Sequence, residues 1–333
     1  MSAAPPITLG VPVWNAERYL PAALESLLAQ TFGDFELTIS DNASTDRTEA
    51  VCRDFAARDR RVRYERLDEN VGAIENFNRL VRAARGRYFK WAASDDLCAP
   101  TFLERCVERL GTDEEVVWCH PLTRHIDAAG EPVPAAIDPA LPPGQPNHSL
   151  VRPGALSTRY DRAAPRAWQR FRAVVLGTTW CSDSYGLIRT AALRRTALLR
   201  PYFGAEKVLM AELALLGRFA EPPEVLFSQR VHADAASALG GGAAERTFAG
   251  AAGAAGRFSS TRLALLRGYA SAVRRAELGA VEKLHCGVTL ARYVGQVDKW
   301  GRIAREAIGG RGVGDDTFRK LAARTYAAGG GSE

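Results

Sequence analysis

Apolar and polar positions change period repeatedly along the first 120 residues. Residues 7–13 and 35–40 are short apolar runs of strand length, and residues 62–67, 88–93 and 116–119 repeat the pattern. Between them the apolar residues recur at helical spacing. Leu20, Leu24, Leu27 and Leu28 form one stripe; Val51, Cys52 and Phe55 form a second. Phe77, Leu80, Val81 and Ala84 form a third, stopped by Gly86, and Phe102, Leu103, Cys106, Val107 and Leu110 a fourth. Asp46 followed by Glu49 predicts a capping box opening the second helix. Strand and helix alternating at this rhythm predict an α/β fold with a mainly parallel sheet covered by helices.

Beyond residue 120 the rhythm breaks. Eight prolines from residue 121 to residue 153 predict a hairpin and then a long loop over the crevice. A helix is expected over 160–176, a strand over 184–189, helices over 191–199 and 207–216, and a strand over 225–231. Gly and Ala dominate 239–256, which reads as a connector. Leu263, Leu266, Tyr269 and Val273 predict one amphipathic helix after it, and Val281, Leu284, Val288 and Ala291 the next. A short helix is expected over 318–326. The expected organisation is therefore 1–120 and 121–238 as two halves of one α/β unit, a connector at 239–256, and a helical extension at 257–333.

Composition adds little to that picture and excludes some classes. Of 333 residues, 47% are hydrophobic and 25% charged, the balance of a globular protein. No apolar run approaches the roughly 20 residues of a spanning helix. Met1 to Pro6 lack a basic or apolar leader segment, so a cytoplasmic location is the expectation. The six cysteines form no Cys-x-x-Cys pair and read as buried thiols rather than a zinc or disulfide framework. Residues 257–333 hold 14 Lys/Arg against 7 Asp/Glu, so the net charge of +6 resides in the extension. That excess suits a solvated face, peripheral docking on a membrane, or a homodimer; nucleic acid is not an expected partner.

Two strands end in acids. The apolar strand through Trp91 runs into Ser94, Asp95 and Asp96, and the strand through Ile39 into Ser40, Asp41 and Asn42. In an open α/β sheet, ligands bind beyond the carboxyl ends of the strands. Carboxylates there are hard oxygen ligands for Mg2+ or Mn2+, and such a cation in turn holds a diphosphate.

The ordered pieces around these acids carry a resemblance. Residues 7–15 (ITLGVPVWN), 24–32 (LESLLAQTF), 34–37 (DFEL), 40–46, Asn70-Val71-Gly72 and Ser94-Asp95-Asp96 occur in the order found in glycosyltransferase family 2, which this chain resembles. The resemblance implies a GT-A (Rossmann-like) fold and transfer of a sugar from a nucleotide-sugar donor to an acceptor hydroxyl, with inversion. It implies Asp96 as a direct ligand of Mn2+ or Mg2+, and Asp95 on the donor ribose or a metal-bound water. Asp41 and Asn42 stand where the family commonly has two aspartates, so the preference for uracil, and hence UDP-sugars, is weaker here. Pro12, Trp14 and Asn15 close the first strand, where Trp14 suits either the nucleobase or the core. Asn70, Gly72 and Asn76 would form the loop beneath the donor.

For the base that deprotonates the acceptor, the resemblance points to Glu206, at a helix start that favours its ionised form. Asp183 and Glu212 are rivals. His232, at the end of the last strand, resembles an extra metal or phosphate ligand of some GT-A enzymes, and equally an ordinary turn histidine. The acceptor class stays open among glycan, lipid-linked sugar and natural product. A sugar-1-phosphate nucleotidyltransferase would need a Gly-rich loop after the first strand, and residues 11–16 contain no glycine. A non-catalytic carbohydrate-binding protein is the other alternative, against which the acid pair stands intact.

Overall fold

The computed structural model describes residues 5–132, 161–178, 181–232 and 261–296. Strands β1 (Ile7–Val13), β2 (Phe35–Asp41), β3 (Val62–Arg66) and β4 (Tyr88–Trp91) alternate with helices α1 (Leu20–Leu28), α2 (Thr48–Arg58) and α3 (Ala73–Ala83). Then come β5 (Leu97–Cys98), α4 (Phe102–Thr112), β6 (Val116–Cys119) and β7 (Leu122–Ile126). The later part holds α5 (Ala167–Gly177), a 3-10 turn at Ser182–Tyr185, β8 (Leu187–Arg189), α6 (Thr190–Arg194), α7 (Ala205–Leu216), β9 (Arg218–Ala220) and β10 (Val225–Arg230). Helices α8 (Thr261–Arg275) and α9 (Ala280–Val294) complete it.

Seven strands form one sheet in the order β3-β2-β1-β4-β8-β6-β9. All pairs are parallel except those of β8, which runs antiparallel to β4 and β6. The sheet is mostly parallel, as the alternation predicts, but β8 reverses because the chain re-enters after a long excursion rather than by a helical crossover. β8 and β9 complete the sheet begun by β1 to β4, so both halves share one scaffold. The two faces are covered separately, as alternating side chains require. Leu24, Phe55, Phe102 and Leu103 of α1, α2 and α4 cover one; Val81, Phe171, Leu209 and Tyr269 of α3, α5, α7 and α8 cover the other.

A second sheet, β5-β10-β7, was not legible in the pattern. β10 pairs antiparallel with the two-residue β5 and parallel with β7. The predicted hairpin after residue 121 is a stub: Ile126 bridges Pro132 across a turn at Asp127. The remaining prolines of that loop, the 239–256 connector and the 318–326 helix lie outside the described residues.

Local differences have local causes. No capping box opens α2: Asp46 accepts from Thr48 N–H at 3.0 Å, while Glu49 is drawn to Arg53 and Arg66. The helix expected over 160–176 begins at Ala167, after Pro165, and that over 191–199 ends at Arg194. The cysteines are free, with only Cys181 not fully buried. Helices α8 and α9 pack into the main core through Leu265, Tyr269, Cys286 and Tyr293. The predicted stripe of α9 does not face that core: Val281, Leu284, Val288 and Ala291 are exposed.

Candidate active site

The small sheet assembles the acid pair. β4 ends with Ala92 N–H bonded to Gly10 O of β1 at 2.9 Å, and the chain then turns through Ser94-Asp95-Asp96 into β5. Pairing of β5 with β10 sets Leu97 against Ser228, which brings the end of β10 onto both acids. Arg230 N–H donates to Asp96 Oδ1 at 2.8 Å, and Arg230 Nε to Asp95 O at 2.9 Å. His232 Nε2 lies 2.9 Å from Asp95 Oδ2. Arg230 also clasps the turn after β7, donating to Asp127 O at 2.9 Å. Its guanidinium lies over the Tyr19 ring, which contacts the His232 ring at 4.7 Å. His232 therefore meets Asp95, with Asp96 held from the backbone beside them.

Burial holds the Asp96 carboxyl well above the usual carboxylate range, and the charge of Asp95 adds to that. The Arg230 N–H and the Lys90 and Arg230 cations oppose the shift. Lys90 is fully buried under the acid loop, donating to Trp91 O at 3.2 Å and to Tyr185 O, with its ammonium over Phe102. A lone lysine inside an apolar strand was the available sequence signal for it.

The ends of β1 and β2 are tied by side chains expected to face a nucleotide. Asp41 is completely buried; its Oδ1 accepts from Ser44 N–H and its Oδ2 from Tyr64 O–H, at 2.9 and 2.8 Å. Asn42 accepts from Val71 N–H and donates to Asn70 Oδ1, both at 2.8 Å, anchoring the loop before α3. Asn70 Oδ1 also accepts from Gly72 N–H at 2.9 Å. Gly72 has φ +86°, a conformation open to glycine and strained for other residues. Asn76 is buried and faces β2: its Nδ2 donates to Ser40 O at 2.9 Å, and Ser40 Oγ–H bonds its Oδ1. It pins α3 to β2. Asn15 clasps the neighbouring turn, accepting from Thr45 N–H at 2.8 Å. Trp14 is 52% exposed, which removes the core alternative. Pro12 is tolerated because pairing on its β4 side ends at Gly10 with Trp91, while Val13 O accepts from Asn42 N–H on the β2 side.

Glu206 lies in the first turn of α7, after Gly204 at φ +81°. The Cys181 thiol is pushed up first by burial and then by the charge of Glu206. Burial likewise pushes the Tyr185 phenol up, followed by the charges of Asp96, Asp95 and Glu206. Tyr185 thus lies within electrostatic reach of both the acid pair and Glu206. The rivals are committed elsewhere. Asp183 is buried in an ion pair with Arg162, which also meets Glu221 at 3.2 Å. Glu212 is buried; it pairs with Arg275 and accepts from Ala197 N–H at 2.8 Å.

Among the described residues no three His, Cys, Asp or Glu side chains form a cage for a cation. The acid pair nevertheless fits a hard cation that brings further oxygen ligands with it, the habit of Mg2+ and Mn2+ at diphosphates. Asp96 is buried where its ionised form calls for a positive partner. Among the described residues, buried His232 Nδ1 finds no hydrogen-bond partner. With Nε2–H directed at Asp95, that nitrogen keeps a free lone pair, as in carboxylate–histidine–metal arrangements.

Residues 8–160 match the family model described as Glycosyl transferase family 2. Over 126 residues the chain is 32% identical to chondroitin synthase of Escherichia coli, covering 38% of this chain and 18% of that protein. Over 117 residues it is 30% identical to the putative glycosyltransferase EpsH of Bacillus subtilis, covering 35% and 33%. The matches thus span well under two thirds of either relative's length. Among solved structures, S. aureus TarS 1-349 in complex with UDP-GlcNAc superposes with a TM-score of 0.58 at 18% identity, over 86% of this chain and 71% of that one. The mannosyltransferase PcManGT of Pyrobaculum calidifontis, in complex with GDP-Man and Mn2+, gives 0.55 at 17% identity, over 100% and 77%. Residues 8–160 therefore match glycosyl transferase family 2, in a chain that has the GT-A fold.

Proposed function

We propose that this chain is an inverting, divalent-metal-dependent glycosyltransferase that moves a sugar from a nucleoside-diphosphate sugar to an acceptor hydroxyl. The observation that carries the reading is the Asp95–Asp96 pair at a strand end, Asp96 buried and the half-buried Asp95 met there by His232. UDP-sugars are the favoured donors, in keeping with the UDP-GlcNAc held by TarS, while the GDP-Man and Mn2+ of PcManGT support the cation and a second base as rival. Residues 1–120 would serve the donor, and 121–238 the acceptor and base.

A divalent cation, when bound, neutralises charge on the departing diphosphate. Asp96 would hold it, with His232 Nδ1 as a further donor. Asp95, fixed by His232 Nε2, would orient the ribose or a bound water. Asn42 and Asn70 would shape the base pocket through the loop that they hold. Glu206 would take the proton of the acceptor hydroxyl as it attacks from the face opposite the diphosphate, which inverts the anomeric centre.

The test is a thermal-shift screen of nucleotide sugars with Mn2+ or Mg2+, since a ligand of the folded state raises its melting temperature. One nucleotide series should stabilise the protein only with the cation. Asp96→Asn should lose that stabilisation and the turnover while still folding. No response to any nucleotide sugar, or near-normal turnover by Asp96→Asn, overturns the reading.

A further inference from the structure

Helix α9 turns its most apolar stripe away from the protein. At about 100° per residue, Val281, Leu284, Val288 and Ala291 share the face opposite Cys286 and Tyr293, which are buried in the core. Val281 is 64%, Leu284 68% and Val288 46% exposed. The same helical geometry sets Arg292 at one edge of the stripe and Lys283 about 80° beyond the other edge, at Ala291. Every exposed residue of α9 is apolar, glycine or cationic.

Charge narrows the occupant. Residues 261–296 hold six Lys/Arg and two glutamates. Glu282 is turned inward to accept from Trp168 N–H at 2.8 Å, and Glu277 faces Arg195 at 3.1 Å. Arg267 and Arg274 stand exposed on the adjoining α8. A second copy would set like charges together: antiparallel pairing about Val288 opposes Lys283 to the other copy's Arg292, and parallel pairing opposes each to itself. A nucleic acid would engage the cations and leave the apolar stripe in water. A surface with anionic headgroups over an acyl layer satisfies both parts of the face, with the Lys and Arg stems covering apolar surface below their charges.

We infer that the outward face of α9 docks on an anionic lipid surface, with Val281, Leu284 and Val288 entering the headgroup boundary and Lys283 and Arg292 meeting lipid phosphates. The docking is independent of the transfer chemistry and holds with or without donor.

The full chain is sedimented with vesicles of equal parts phosphatidylglycerol and phosphatidylcholine, and with phosphatidylcholine alone. It should pellet with the first and stay in solution with the second. Leu284→Asp/Val288→Asp and Lys283→Glu/Arg292→Glu should each lower vesicle binding about tenfold or more. Their melting temperatures should be unchanged, because all four positions are exposed. Three results overturn the inference: no binding to anionic vesicles, equal binding by the variants, or a dimer in light scattering that Leu284→Asp/Val288→Asp dissolves, which assigns the face to a second copy.

Discussion

Replacing Asp183 by Asn separates a buried structural acid from a catalytic base. The Asp183 side chain is 3% exposed and its partner Arg162 7%. Trp118 Nε1 donates to the Asp183 backbone oxygen at 2.7 Å, so the substitution leaves the 3-10 turn anchored and removes only the charge. Arg162 then keeps Glu221, at 3.2 Å and 27% exposed. Taking one partner from a buried pair costs about 3–5 kcal/mol. Glu221 retains part of the compensation, so a loss of about 3 kcal/mol is expected. At about 2–4 °C per kcal/mol for a domain of this size, the melting temperature should fall by roughly 6–12 °C. Removing Arg162 as well, with Arg162→Met, should cost less than the sum of the single changes, because the second removes the charge stranded by the first. Turnover measured well below the melt should stay within about threefold of wild type. An unchanged melting temperature with turnover reduced about a thousandfold would refute the structural assignment and make Asp183 the base.

Glu206→Gln should lower turnover by a factor of about 10²–10⁴ while leaving donor-dependent thermal stabilisation intact; loss of donor binding instead would place Glu206 on the nucleotide side. His120 is buried between Phe102 and Phe227, and burial pushes its pKa from 6.5 down to about 4. The folded state therefore favours neutral His120, and the stability it contributes is complete above pH 6.5 and lost as pH falls toward 4, by about 3 kcal/mol. His120→Leu should flatten denaturant midpoints across that window, with His125, also pushed down to about 4 by burial, setting the remaining slope. Asn42→Asp would replace the amide donor to Asn70 with a carboxylate facing an amide oxygen. It should cost about 1–3 kcal/mol and raise the donor KM, read by chemical denaturation and initial rates.

Much of the scaffold was legible because amphipathic period is a local property. The alternation of β1 to β4 with α1 to α3 follows from it, and so do the acids at the strand ends. What that period reports is that a face is apolar; it does not say what the face meets. Val281, Leu284 and Val288 have the spacing of a packed stripe and lie in the open, because Cys286, Thr289 and Tyr293 reach the core first. Polar residues divide in the same way. Asp41, Asn42 and Asn76 stand where a nucleotide-binding pattern expects them, yet their polar atoms hold β2, the 70–72 loop and α3 together.

The chain's own order of residues determined the family match, the element types and the acid pair, since each is written in contiguous segments. Tertiary structure alone decided that β8 runs backwards, that Asp183 is consumed by Arg162, and that β5 pairs with β10. The last of these carries His232 across 137 positions to within 2.9 Å of Asp95. Such pairings leave no local signature, because their free energy comes from surfaces that meet only after the chain has folded.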